Sequence, residues 1–176
     1  MQTKRILAPT DLTERSREGL TYALSLAAET GSALLILYVA DELRSWEMMD
    51  DELLPSCRPA WTADRVAAEA ALDLNRFLEK HRDEMGRVAA VATRVVLGKA
   101  PEKIVETARR EAVDLIVMAP RPHGAFTRFL LRSVTDRVAR EAPCPVLAVS
   151  PKIGPHPRGR AIPTTLPAFA FERTGA

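Results

Sequence analysis

Polar and apolar positions along this chain fall into two patterns, short continuous apolar runs and longer stripes at helical spacing. The first run, Lys4–Pro9, predicts a strand that ends at Pro9-Thr10-Asp11. Asp11 or Thr13 is then placed to cap a helix whose stripe is Leu20, Ala23, Leu24, Ala27 and Ala28, stopped by Gly31. Ala33–Val39, ALLILYV, is apolar throughout and predicts a strand covered on both faces. Residues 41–60 are irregular, acidic and proline-containing, and predict a long loop. From Trp61 to about Met85 the positions Val66, Ala70, Leu74, Phe77 and Leu78 predict one long amphipathic helix.

The second half continues the alternation. Val88–Leu97 predicts a third strand, ended by Gly98, and Ala100-Pro101-Glu102 opens a helix with proline in its first turn. Its inner face is Ile104, Val105 and Ala108. Asp114–Met118 predicts the fourth strand, followed by a long loop rich in basic residues and proline. A helix is predicted from Ser133 to about Glu141, and a fifth strand over Pro145–Val149. Strands alternating with helices predict an α/β fold, a doubly wound five-stranded parallel sheet flanked by helices, with right-handed crossovers.

Composition divides the chain in two. Residues 1–150 form the predicted domain, and residues 151–176 a C-terminal tail in which eight of 26 residues are Pro or Gly. That share reaches the ~25–30% level at which disorder is expected, so the tail is expected to be flexible. Leu166, Phe169 and Phe171 also suit it to docking on a partner. Aromatics are only 5% of the chain, so Leu, Val, Ile and Ala must fill the core. No run approaches the ~18 apolar residues of a membrane span, and the apolar stretch in MQTKRILAPTD is short for a signal peptide. A cytoplasmic protein is expected. Cys57 and Cys144 are then expected to stay reduced, and two cysteines define no disulfide framework. The net charge of +2 arises in the tail, which contributes +3, and residues 1–150 carry −1. The folded part is therefore not expected to bind nucleic acid.

In open α/β sheets, ligands bind beyond the carboxyl ends of the strands. Four segments converge there: Pro9-Thr10-Asp11, Val39-Ala40-Asp41, Gly98-Lys99-Ala100 and the loop 119–132. The turn after Met118 has the strand-loop-helix form that grips a phosphate through backbone N–H groups and a helix N-terminus. Asp11 suits a ribose hydroxyl or an adenine amine, and equally a helix cap. Val39 suits a base edge, and equally ordinary strand core. Ser133 suits a helix N-cap that also faces a phosphate. Arg121, His123, Arg128 and Arg132 place cations around the loop, either as an anion site or as a solvated or partner-facing surface. Gly124 is free to support a rearranged loop. The chain has no G-x-x-x-x-G-K-[ST], no strand-borne G-x-G-x-x-G and no G-x-S-x-G. His81, His123 and His156 show no metal-ligand spacing, and Glu47, Asp50, Asp51 and Glu52 read as a solvated acidic surface. No metal site and no catalytic residue is predicted. A phosphorelay receiver is disfavoured, because Gly98 follows the third strand where an acceptor Asp belongs.

The pieces ILAPTD, LLILYVAD, VVLGKAPEKIVETARREAVDLIVMA and LLRSVTDRVAREAPCPVLAVS span about residues 2–150. In their order and spacing they resemble the universal stress protein family. The resemblance implies a Rossmann-like fold of the adenine nucleotide alpha hydrolase-like kind. It also implies a homodimer joined through the last strand, Pro145, Val146, Leu147, Ala148 and Val149, and a role in stress tolerance or regulation toward protein clients. ATP-binding members carry G-x2-G-x9-G-[ST] after the fourth strand. Here the three glycine positions are Ala119, Pro122 and Arg132, and the hydroxyl position is Ser133. Asp11 and Val39 match positions that usually contact ribose and adenine. Ala119 is tolerable unless its φ is positive, Pro122 has no N–H to offer, and Arg132 fills the place of a close backbone approach. The resemblance implies ATP as cofactor, and these substitutions predict weakened or absent ATP binding. Two further readings stand beside it: an ATP-binding switch with slow hydrolysis held by Ser133 and the loop arginines, and a small-anion sensor using Arg121 and Arg132.

Overall fold

The computed structural model describes residues 3–40, 61–120 and 134–149. Strand β1 (Arg5–Thr10) leads to α1 (Glu14–Thr30) and β2 (Ala33–Ala40), and α2 (Trp61–Leu78) is followed by a 3-10 turn, Glu79–His81. The chain continues through α3 (Arg82–Met85), β3 (Ala90–Leu97), α4 (Ala100–Arg110), β4 (Leu115–Met118), α5 (Val134–Glu141) and β5 (Val146–Ala148). The strands form one sheet in the order β3-β2-β1-β4-β5, and every pair is parallel. The predicted α/β architecture is the one observed.

The two faces of the sheet carry separate cores, as the two-residue period of a strand requires. Ile6, Ala8, Leu34 and Ile36 face one way and pack with Leu20, Ala23 and Leu24 of α1 and Leu74, Phe77 and Leu78 of α2. Leu7, Leu37, Ile116 and Met118 face the other way and pack with Ile104 and Ala108 of α4 and Val138 of α5. The unbroken apolar run of β2 follows directly from this burial on both sides.

Helix ends obey local chemistry. Thr13 is the N-cap of α1, extended at φ −83° and ψ 160°, and its Oγ1 accepts the Ser16 N–H at 3.3 Å. Gly31 ends α1 at φ 66°, where its N–H reaches the Ala27 carbonyl. Gly98 closes β3 at φ 130°, a backbone region that essentially only glycine adopts.

Several predicted boundaries shift. β1 runs on to Thr10, because pairing with β2 continues to Tyr38. Ala28 lies on the exposed side of α1, outside the buried stripe. The long helix predicted to about Met85 breaks after Leu78 into the 3-10 turn and short α3. There His81 turns inward at 3% exposure and bonds Glu84 at 2.8 Å, while the Arg17 guanidinium stacks 4.3 Å above the Phe77 ring and donates to the Phe77 carbonyl. β3 begins at Ala90, since Val88 is buried as an anchor in the turn, with its N–H on the Met85 carbonyl. β5 is trimmed to three residues, although Pro145 still accepts the Ile116 N–H and Val149 still donates to Met118. The start of the last helix at Ser133, the loop 41–60 and the tail 151–176 lie outside the described residues.

β4 begins one residue later than predicted, because Asp114 serves β1 instead. Its Oδ2 accepts the N–H groups of Lys4 and Arg5, each at 2.9 Å. Those backbone bonds, Lys4 first, hold its carboxyl below the usual value. A depressed folded pKa means that this contribution to stability is present above the unfolded carboxylate value, ~3.9, and is lost as pH falls through the lower folded value. Asp114→Asn is expected to lower the urea midpoint at pH 7, with the gap to the parent closing below about pH 3.9. A gap that stays constant over that range would sink the account.

Candidate functional site

A cleft of about 390 Å³ opens at the carboxyl ends of β1, β2 and β4. Its walls are Pro9, Thr10 and Asp11 after β1, residues 13–16 of α1, Val39 of β2, Ala100 and Ile104 of α4, Met118 and Ala119 after β4, and Val134 and Thr135 of α5. This is the crevice where parallel α/β sheets place ligands. Of the four predicted segments, Pro9–Asp11, Val39, Ala100 and Ala119 reach the cleft, while Ala40, Gly98 and Lys99 do not line it. Asp41, Arg121, Pro122, His123, Gly124, Arg128, Arg132 and Ser133 lie outside the described residues.

The β1–α1 turn is set by hydroxyls. Thr10 Oγ1 and Ser16 Oγ are 2.9 Å apart, and Ser16 Oγ donates to the Thr13 carbonyl at 2.9 Å. Both Thr10 and Ser16 are buried, at 7% and 8% exposure. Leu12 takes the left-handed φ of 61°, donates its N–H to Thr10 Oγ1 at 3.1 Å, and packs against the α1–α2 core. A non-glycine residue there carries ~1–2 kcal/mol of strain, which those contacts must offset. Asp11 remains exposed at the rim, its Oδ1 accepting the Thr13 N–H at 3.1 Å and the Thr13 hydroxyl at 2.5 Å. Thr13 is therefore the helix cap, and Asp11 orients the cap.

The β4 side is packed closely against α1. A Cβ added at Gly19 would lie 3.0 Å from the Ala119 backbone nitrogen and 3.3 Å from the Ala119 Cβ. Glycine in α1 thus makes room for the methyl of Ala119. The described non-glycine residues with positive φ are Leu12 and Ala112, so Ala119 stands in an ordinary conformation. Alanine at this first motif position carries no left-handed strain. Pro120, next in the chain, has no N–H to donate.

Sequence reasoning missed three groups of the cleft: Arg15, Ser16 and Thr135. One signal was available for Arg15, since a cation in the first turn of a helix opposes the helix dipole. Among the described residues no group of three or more His, Cys, Asp and Glu is placed to hold a metal. No described helix is long and apolar enough to cross a membrane. Cys144 is a free, half-buried thiol whose pKa is raised, first by burial and then by Asp114, which makes it a poor nucleophile. Cys57 lies outside the described residues.

Comparison with known proteins gives a consistent set of relatives. Residues 2–150 match the model of the universal stress protein family. A universal stress protein of Methanocaldococcus jannaschii is 29% identical over 154 residues, covering 83% of this chain and 81% of that protein. The structure of universal stress protein UspA from Lactobacillus plantarum superposes with a TM-score of 0.65 at 22% identity, covering 85% of this chain and 99% of that one. A universal stress protein solved in complex with cAMP gives 0.63 at 21% identity, over 85% of this chain and 98% of its own. At such identities the two structures establish the shared fold.

Proposed function

The chain belongs to the universal stress protein family, and from that premise we propose that it acts as a homodimeric stress-response or regulatory interaction module with weakened or absent ATP binding. One observation carries this reading. Val39 and Asp11, at the positions that the family resemblance assigns to base and ribose, line the cleft, while the chain leaves β4 as Ala119-Pro120 into the loop where the family's phosphate motif lies. Proline at 120 and again at 122 removes two N–H groups from that loop, and Arg132 occupies the third glycine position. Pairing through β5 is supported by its place at the edge of the sheet, where Val146 and Leu147 are half-buried and Ala148 is exposed. Titration calorimetry with ATP and Mg²⁺ is expected to give a Kd weaker than ~10 μM, a free energy less favourable than about −7 kcal/mol. Tighter binding, or a monomeric mass at micromolar concentration, counts against the proposal.

A second reading is an ATP-binding regulatory switch with slow hydrolysis, its phosphates held by Ser133, Arg121 and Arg132. It is supported by the joint presence of Asp11 and Val39 in the cleft wall, and by the cAMP complex of the related structure, where the ligand bears a single phosphate. ATP recovered with protein purified without added ligand would favour this reading over the first.

A further inference from the structure

We propose that Arg15 is an anion-binding residue of the cleft, holding the phosphate of a nucleotide from the α1 side. The inference rests on the cleft accepting a nucleotide, the second reading above, and adds a contact that the glycine motif does not contain.

Arg15 lines the cleft, is half-buried, and has no hydrogen bond or ion pair among the described residues. The neighbouring charged groups are engaged: Glu14 pairs with Arg17 at 3.0 Å, and Asp11 accepts two bonds from Thr13. The guanidinium stands at the second position of α1, beside the positive end of the helix dipole. That placement disfavours an empty site, and an anion would relieve both sources of positive charge at once. The planar fork of arginine also fits two phosphate oxygens.

A second, independent group faces the same space. Thr135, on α5, is nine-tenths buried, lines the cleft, and makes no hydrogen bond among the described residues. The other two buried hydroxyls of the wall, Thr10 and Ser16, are bonded to each other. Thr135 is thus the hydroxyl of the wall that, among the described residues, is left open to the cleft for a ligand. A cation and a hydroxyl donor, held by different elements around one cleft that also contains the Asp11 carboxylate, suit a phosphate close to a ribose.

The test compares AMP with adenosine on the parent chain and on Arg15→Gln, by titration calorimetry with thermal melts of each protein. The parent is expected to bind AMP more tightly than adenosine. Arg15→Gln should weaken AMP by ~10- to 100-fold and leave adenosine unchanged. Arg15→Lys should restore part of the loss, because it returns the charge without the fork. Without ligand, Arg15→Gln should melt no lower than the parent, since it breaks no bond and removes an unfavourable charge. Equal loss for AMP and adenosine, or no loss at all, overturns the role of Arg15 while the nucleotide site stands. A parent chain that binds neither AMP nor ATP at millimolar concentration overturns the nucleotide reading itself, and this proposal with it.

Discussion

Replacing Pro122 and Arg132 together by glycine is expected to tighten ATP binding by ~10- to 1000-fold, measured by calorimetry with Mg²⁺. The range follows from one N–H regained at position 122, worth ~1.5–3 kcal/mol toward a charged acceptor, and from the close backbone approach that glycine would reopen at position 132. Pro122 has no N–H, and Arg132 stands at the motif position where the family's ATP-binding members carry a glycine, the residue that permits close backbone approach to a phosphate. Ala119→Gly alone should change affinity little, because Ala119 is not among the residues with positive φ, and its methyl is accommodated by Gly19. The contrast between the double and the single variant makes the prediction specific. If the double variant binds no better than the parent, the missing glycines are not what limits affinity.

Ile6→Ala is expected to cost ~2–5 kcal/mol of stability, with a Tm lower by roughly 5–20 °C. Ile6 is fully buried on the central strand β1, in register with Leu34 on β2 and Leu115 on β4. Its side chain belongs to the core shared with α1 and α2, so truncation leaves a cavity bounded by several elements. Leu72→Ala removes a similar volume from the outer face of α2, where Leu72 is 56% exposed, and should stay within ~0.5 kcal/mol of the parent. Chemical denaturation of both variants checks the comparison. Similar midpoints for the two would contradict the placement of the core.

Much of the fold was legible in the chain. The β2 run ALLILYV and the stripe from Val66 to Leu78 announce their elements, because burial on two faces or one imposes a period on the sequence. Gly31 and Gly98 end their elements where predicted, and each adopts a positive φ. The break after Leu78 was less visible. The stripe continues to Phe77 and Leu78, and only the inward turn of His81 toward Glu84 shows that the helix has tightened and ended. The site was legible in part. Asp11, Val39 and Ala119 all stand in the cleft wall. Arg15 and Thr135 were not found, because neither belongs to a motif and both gain meaning from what lies across the cleft.

Taken alone, the sequence determined the order and kind of the elements, the likeness to universal stress proteins, and which loop positions lack glycine. It carried this information because strand and helix periods, turn residues and loop lengths are written among near neighbours. Tertiary structure alone decided the strand order, that Thr13 rather than Asp11 caps α1, that Ala119 avoids a left-handed φ, and that Arg15 shares a cleft with Thr135. The strand order and the shared cleft depend on parallel pairing between distant segments, such as Ile6 with Leu115. Residues so far apart along the chain acquire a joint chemistry only when the sheet brings their strand ends together.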